Sequence, residues 1–245
     1  MHKVLDFIKK NKQFSFFLLL VILLALITIF APVIAPQDPY ASDLKNALQP
    51  PSSAHWFGTD KLGRDIFSRV IYASRSSLPA TLILVVLIFA IGTLLGTLAG
   101  YFGGWIDAVI MRISDMMISF PGMVLAIAVA GIMGASVKNA VIAVAVVSWP
   151  KYARLARSLV MKIRHEDYIY AAIVTGSKTS YILRKYMLPN IIPTLIITAA
   201  TDIGGMMLEL AGLSFLGFGA KAPAAEWGLM LNEGRTYMQN APWMM

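Results

Sequence analysis

The chain contains no cysteine, which excludes disulfide staples, thiolate metal ligands and cysteine nucleophiles. Charge is scarce as well: Asp, Glu, Lys and Arg make up 14% of 245 residues, against 58% hydrophobic residues. So little charge cannot solvate the surface of an ordinary soluble domain, and mean hydropathy of +0.69 points to a membrane protein. Histidine is limited to His2, His55 and His165, which lie too far apart for metal-site spacing and read as polar loop residues. No nucleophile–base constellation is present, so no catalytic residue is expected. No internal repeat is apparent. GSKTS at 176–180 lacks the Gly-Lys-Ser/Thr order of a phosphate-binding loop, because Ser177 separates Gly176 from Lys178 and Ala171 stands where the earlier glycine belongs. The protein is therefore not expected to bind ATP or any other cofactor itself.

What is present is a series of apolar runs, near 14–35, 78–102, 118–135, 137–160 and 190–219. Runs of about 17–25 residues suffice to cross roughly 30 Å of hydrocarbon as helices. Strict alternation of apolar and polar residues is missing, so barrel strands are excluded and the expected fold is an all-α polytopic transmembrane bundle. The 14 methionines fall mostly inside these runs, as filler rather than metal ligands. The first run resembles a signal peptide in its basic start but is longer than the usual apolar region, so it reads as a retained anchor.

The expected organisation is a cytoplasmic N-terminus and first span over 1–35, an extracytoplasmic loop over 36–77, and a core over 78–245. Residues 58–78 regain helical spacing at Ile66, Val70 and Ala73, which predicts a short helix on the membrane surface before the second span. Basic residues set the orientation. Lys3, Lys9, Lys10 and Lys12 precede the first span, and Lys151, Arg154, Arg157, Lys162, Arg164, Lys178, Arg184 and Lys185 crowd around the fourth connection. Both regions are therefore placed in the cytoplasm, an even number of crossings apart. Lys45, Lys61, Arg64, Arg69 and Arg75 fall on the opposite side, accompanied by Asp38, Asp43, Asp60 and Asp65. This distribution argues against nucleic acid as a partner, since the charge is not gathered on one soluble face.

Within the second span Gly92, Gly96, Gly100 and Gly104 recur every fourth residue, predicting a bare stripe for close helix packing. Pro121 should open a helix and Pro150 should kink one.

The cytoplasmic loop over 162–189 is the most informative stretch. Glu166 and Asp167 place acids at the positive end of a helix dipole and predict a helix start. Ala171, Ala172 and Gly176 are spaced to leave a shallow dent, while Tyr168, Tyr170 and Tyr181 supply large contact groups. Leu188-Pro189 is expected to end the element.

This layout resembles the cytoplasmic loop of binding-protein-dependent ABC importer permeases, with the pattern Glu-Ala-Ala, three residues, Gly, nine residues, Ile, one residue, Leu-Pro. Ala171, Ala172, Gly176, Leu188 and Pro189 match it; Tyr170 replaces the Glu and Tyr186 the Ile. The stretches FGTDKLGRDIFSR at 57–69, FGGWIDAVIMRISDMMISFP at 102–121 and LSFLGFGAKAPAAEWG at 213–228 are similar to the second permease subunit of the peptide/nickel branch. The run TDIGGMMLELAGLSFLGFGAKAPAAEWGLMLNEGR looks closer to nickel permeases, chiefly in Gly204-Gly205-Met206-Met207 and Ala224-Ala225-Glu226-Trp227-Gly228.

The resemblance implies half of a translocation pore in a type I ABC importer of a bacterial-type inner membrane, with a sixth span expected beyond the C-terminus. It implies nickel or a nickel chelate as substrate, with di- or oligopeptides as the alternative. Implied partners are a second permease subunit, two ATPase subunits holding ATP and magnesium, and an extracytoplasmic binding protein. Tyr170, Ala171, Ala172, Gly176, Leu188 and Pro189 would then form the coupling surface. A membrane scaffold or sensor is the alternative of another class.

Inside the last apolar run stand Asp202 and Glu209, seven residues apart and so on one helix face. An ionised group in hydrocarbon faces a bundle interior or water, which makes both candidates for the transport pathway; interhelical hydrogen bonding is the plainer role.

Overall fold

Backbone groups in an apolar setting must find their partners within the segment, and in the computed structural model they do so as helices. Residues 10–245 are described, so His2, Lys3 and Lys9 lie outside the described residues. The helices are α1 Lys12–Ile34, α2 Ile66–Phe102, α3 Gly104–Ile118, α4 Gly122–Met133, α5 Val137–Arg164, α6 Asp167–Val174, α7 Thr179–Ile182, α8 Leu188–Phe215 and α9 Trp227–Gly234. A π-helical turn, Leu183–Met187, joins α7 to α8, so that helix runs unbroken over Thr179–Phe215. No named strand occurs among the described residues; a single bridge pairs Thr59 with Asp65.

Two compact units form. One comprises residues up to Pro79 together with Ala222–Met245, and the other Ala80–Lys221. In the first, buried ion pairs carry much of the packing. The Asp60 carboxylate accepts from the Leu62 and Arg64 amides and from Arg64 Nε at 2.6 Å, and Arg64 Nη2 reaches Glu233 at 3.0 Å. Arg69 donates to the Pro39 and Ala224 carbonyls. Asp65 accepts from the Ser68 amide and hydroxyl and meets His55 Nδ1 at 3.0 Å. The Glu226 carboxylate caps α9 through the Gly228 and Leu229 amides and accepts from Ser77. Stretches 57–69 and 222–228 are thus structural: they hold one buried network together.

The second unit is built around α5, whose Ala140, Ala143, Val144, Tyr152, Ala153, Ala156 and Val160 are all buried. A Cβ at Gly92 would come within 2.4 Å of Tyr152 Cβ, at Gly96 within 2.2 Å of the Ala153 carbonyl oxygen, and at Gly100 within 2.9 Å of the Arg157 carbonyl oxygen. These three glycines let α2 lie backbone to backbone on α5. Gly104 does not belong to the stripe: the helix breaks at Gly103, Gly104 has φ +53°, and nothing stands within 4 Å of the place its Cβ would take.

Three further expectations are corrected. No separate surface helix precedes the second span, because Ile66 begins a helix that continues through Pro79 to Phe102; at 37 residues it is about 55 Å long. The run 118–135 is not one straight span. Pro121 stops α3 and opens α4, and the two meet at 94°. Among the described residues three helices are long and apolar enough to cross a membrane, or four if this bent pair is one span. The run 137–160 is a helix, but with Lys138, Lys151, Arg154 and Arg157 it does not reach that apolarity. A helix enclosed by others meets protein instead of lipid and has less need of it.

Candidate coupling surface and transport face

Helix α6 starts where the acids predict, with Glu166 at its N-cap and Asp167 in its first turn. Its end is set by Gly176, whose φ of +78° is the left-handed conformation that glycine alone adopts freely. The Ser177 amide returns to the Ala172 carbonyl and the Gly176 amide to the Ile173 carbonyl, both at 3.0 Å, which satisfies the last carbonyls of the helix. Gly176 therefore terminates the helix, and a Cβ there would meet nothing of this chain within 4 Å. Nor do the alanines share a free face. Ala172 and Ile169 are buried in the core of their own unit, while Ala171 is exposed.

The outward side of α6 carries Tyr168, Tyr170, Ile173 and Val174, the last two 49% and 86% exposed. Tyr170, at the position of the expected Glu, sets its hydroxyl 3.0 Å from His165 Nδ1. Tyr186, at the position of the expected Ile, sits between Tyr168, tilted against it, and Tyr181, edge-on to it, with ring centres 6.0 and 5.9 Å away. Spacing alone could not show this cluster, although an aromatic residue at 186 was its signal. Beside it lies a hollow of about 470 Å³ lined by Ser177, Lys178, Ser180, Tyr181 and Arg184.

Leu188-Pro189 does not end the element, which is a further correction. Pro189 lies inside the continuous helix, where its missing amide removes one bond to a carbonyl of the preceding turn. The π turn over Leu183–Met187 widens the preceding backbone, and the Asn190 side-chain amide donates to the Tyr186 carbonyl at 2.6 Å.

Asp202 and Glu209 both lie on α8, but their surroundings differ. Lys151 Nζ donates to both carboxylate oxygens of Asp202 at 2.7 Å, and the Tyr152 hydroxyl donates to one of them at 2.9 Å. The Asp202 side chain is 15% exposed and Lys151 56%. Sequence spacing missed this pair because 51 residues separate its members. Glu209 is exposed. Gly205, between the two acids on the same face, has nothing within 4 Å of its missing Cβ, and neither has Gly204, so neither glycine packs against another helix of this chain. Two more ion pairs tie α3 to α5: Arg157 to Asp107, with both contacts at 2.5 Å, and Arg154 to Ser114 and Asp115. Among the described residues no group of three or more His, Asp and Glu side chains could hold a metal ion.

A sequence model of the family described as binding-protein-dependent transport system inner membrane component matches residues 92–243, and one described as the N-terminal TM domain of oligopeptide transport permease C matches residues 2–51. The chain is 44% identical to the dipeptide transport system permease protein DppC of Alkalihalophilus pseudofirmus, over 96% of this chain and 78% of that protein. It is 45% identical to the probable D,D-dipeptide transport system permease protein DdpC of Escherichia coli K12, over 91% and 75%. The nickel transport system permease protein NikC of the same organism is 40% identical, over 93% and 82%. Among solved structures, the inward-facing MetNI methionine ABC transporter is similar with a TM-score of 0.60 at 19% identity, covering 73% of this chain and 86% of that one. At that identity the likeness establishes the fold, that of a type I ABC importer permease.

Proposed function

Because the chain belongs to the family of binding-protein-dependent transport system inner membrane components, we propose that it forms half of the translocation pore of an ATP-driven importer of short peptides. Its partners in this reading are a second permease subunit, two ATPase subunits that hold ATP and magnesium, and an extracytoplasmic binding protein. Helix α6 carries the reading. One of its sides, Ile169 and Ala172, is sunk in the core, and the other, Tyr168, Tyr170, Ile173 and Val174, is exposed. A partner that grips the exposed side moves the core through the buried side, and large aromatic groups are those on which interfaces concentrate their binding energy. ATP hydrolysis in the partner then alternates the access of the pathway, and this chain takes no covalent part.

The substrate is read from charge. Lys151 presents a half-exposed ammonium beside the Asp202 carboxylate, and with Glu209 exposed on the same helix as Asp202 both signs of charge are offered, which suits a zwitterion. Nickel or a nickel chelate is the second reading, favoured by the exposed Glu209 carboxylate. The test is uptake into vesicles carrying the whole complex, with its binding protein and either labelled dipeptide or nickel. Peptide uptake that requires ATP is the expected result. Nickel uptake alone would select the second reading, uptake driven by an ion gradient would mean a secondary transporter, and no uptake of either would favour a scaffold.

A further inference from the structure

The Lys151–Asp202 pair and Glu209 place a positive and a negative group along one exposed side of unit Ala80–Lys221. An ammonium has three donors, and Lys151 gives two to Asp202. Asp202 in turn is fixed by the Tyr152 hydroxyl, so the carboxylate is occupied, and Lys151 keeps one further donor on a side chain that is 56% exposed. Glu209 is exposed, and no hydrogen bond or ion pair to it is found among the described residues. Residues 202, 205 and 209 follow the i, i+3, i+7 spacing of one helical face. The bare backbone of Gly205 lies between the two charges as an open shelf. Seven residues of helix separate Asp202 from Glu209 by about 10 Å, and an extended di- or tripeptide spans about 7–10 Å. In an apolar segment such groups persist only where they meet water, a partner or a substrate.

We propose that Lys151 and Glu209 determine specificity by reading the two charged ends of the substrate: Lys151 takes the peptide carboxylate, and Glu209 takes the amino terminus across the Gly205 shelf. Asp202 and Tyr152 are positioning residues that hold the Lys151 ammonium in place. Asp202 is therefore not a free pathway acid, and the inference rests on the importer reading above.

The experiment uses the full complex in proteoliposomes with saturating binding protein and measures uptake per assembled complex of trialanine, its C-terminal amide and its N-acetyl form. The binding protein's own preference cancels when variants are compared, because the same binding protein serves all of them. Lys151→Gln is expected to lower the ratio of free peptide to amide by about tenfold, the effect of losing one charge-assisted hydrogen bond. Lys151→Arg should restore that ratio. Glu209→Gln should lower the ratio of free peptide to the N-acetyl form and leave the amide ratio unchanged. Equal loss for all three peptides, loss of assembled complex in Lys151→Gln, or unchanged ratios in both variants would overturn the proposal. Failure of the unsubstituted complex to move any peptide with ATP would overturn the importer reading, and this inference with it.

Discussion

At Gly176 the decisive property is backbone conformation, because φ of +78° costs an L-residue energy whatever space surrounds it. Gly176→Ala should loosen the end of α6 by about 1 kcal/mol, and Gly176→Asn by less, since asparagine tolerates the left-handed region. Hydrogen exchange of the amides in 167–177 checks the first effect, and uptake per assembled complex shows whether it reaches transport. The order expected is Gly, then Asn, then Ala. A harmless Gly176→Ala beside a damaging Gly176→Trp would instead restore the idea of a dent filled by a partner. Tyr170 shows the same shift from pattern to place. Where a carboxylate was expected, a phenol reaches His165, so this position makes a contact within the loop.

Between helices, the contact of α2 with α5 depends on three missing side chains. Gly96→Ala would put a methyl 2.2 Å from the Ala153 carbonyl oxygen, and backbone cannot rotate away as a side chain can. Forcing the helices apart should cost about 1–3 kcal/mol. It should appear as a lowered unfolding midpoint of the purified protein in detergent, whereas Gly205→Ala, with open space around it, should leave the midpoint unchanged. Equal effects at the two positions would refute close backbone packing as the cause. The stripe at 92, 96 and 100 was legible in the sequence because one straight helix keeps a spacing of four in register. Gly104 shared the spacing but fell past the end of the helix, at a break that spacing does not reveal. The start of α6 was legible because Glu166 and Asp167 act locally. Its end was not, since the role of Gly176 depends on φ. Nor was the continuation through Pro189 legible, since it depends on a π turn five residues long. The Lys151–Asp202 pair and the network of Asp60, Arg64, Arg69 and Glu233 join residues far apart in sequence, so only tertiary packing brings them together.

The way the chain crosses the membrane can be argued from which segments share a unit. Residues 36–79 and 222–245 pack in one unit, so both lie on the same side and an even number of crossings separates them. Four meets this condition: α2, the bent pair α3 and α4 as one, α5, and the helix over Thr179–Phe215. Free basic residues in the first unit would count against an extracytoplasmic position. Arg64 and Arg69, however, are buried against Asp60 and Glu233, and Lys61 lies 3.4 Å from Glu233, so they are neutralised in place and carry little weight in orientation. The loop over 162–189 keeps Lys178, Arg184 and Lys185 exposed, which favours the cytoplasm. With no natural cysteine to interfere, single cysteines at Ser53, Lys178 and Gln239, all exposed, report each side directly. In oriented membranes an impermeant maleimide added outside should label positions 53 and 239 and spare 178 until the membrane is opened. Labelling of 239 together with 178, and not with 53, would mean an odd number of crossings and would remove the helix over Thr179–Phe215 from the set of spans, because it alone lies between 178 and 239. Labelling of 178 alone from outside would keep the count and invert the whole chain, leaving α6 on the wrong side for any ATPase.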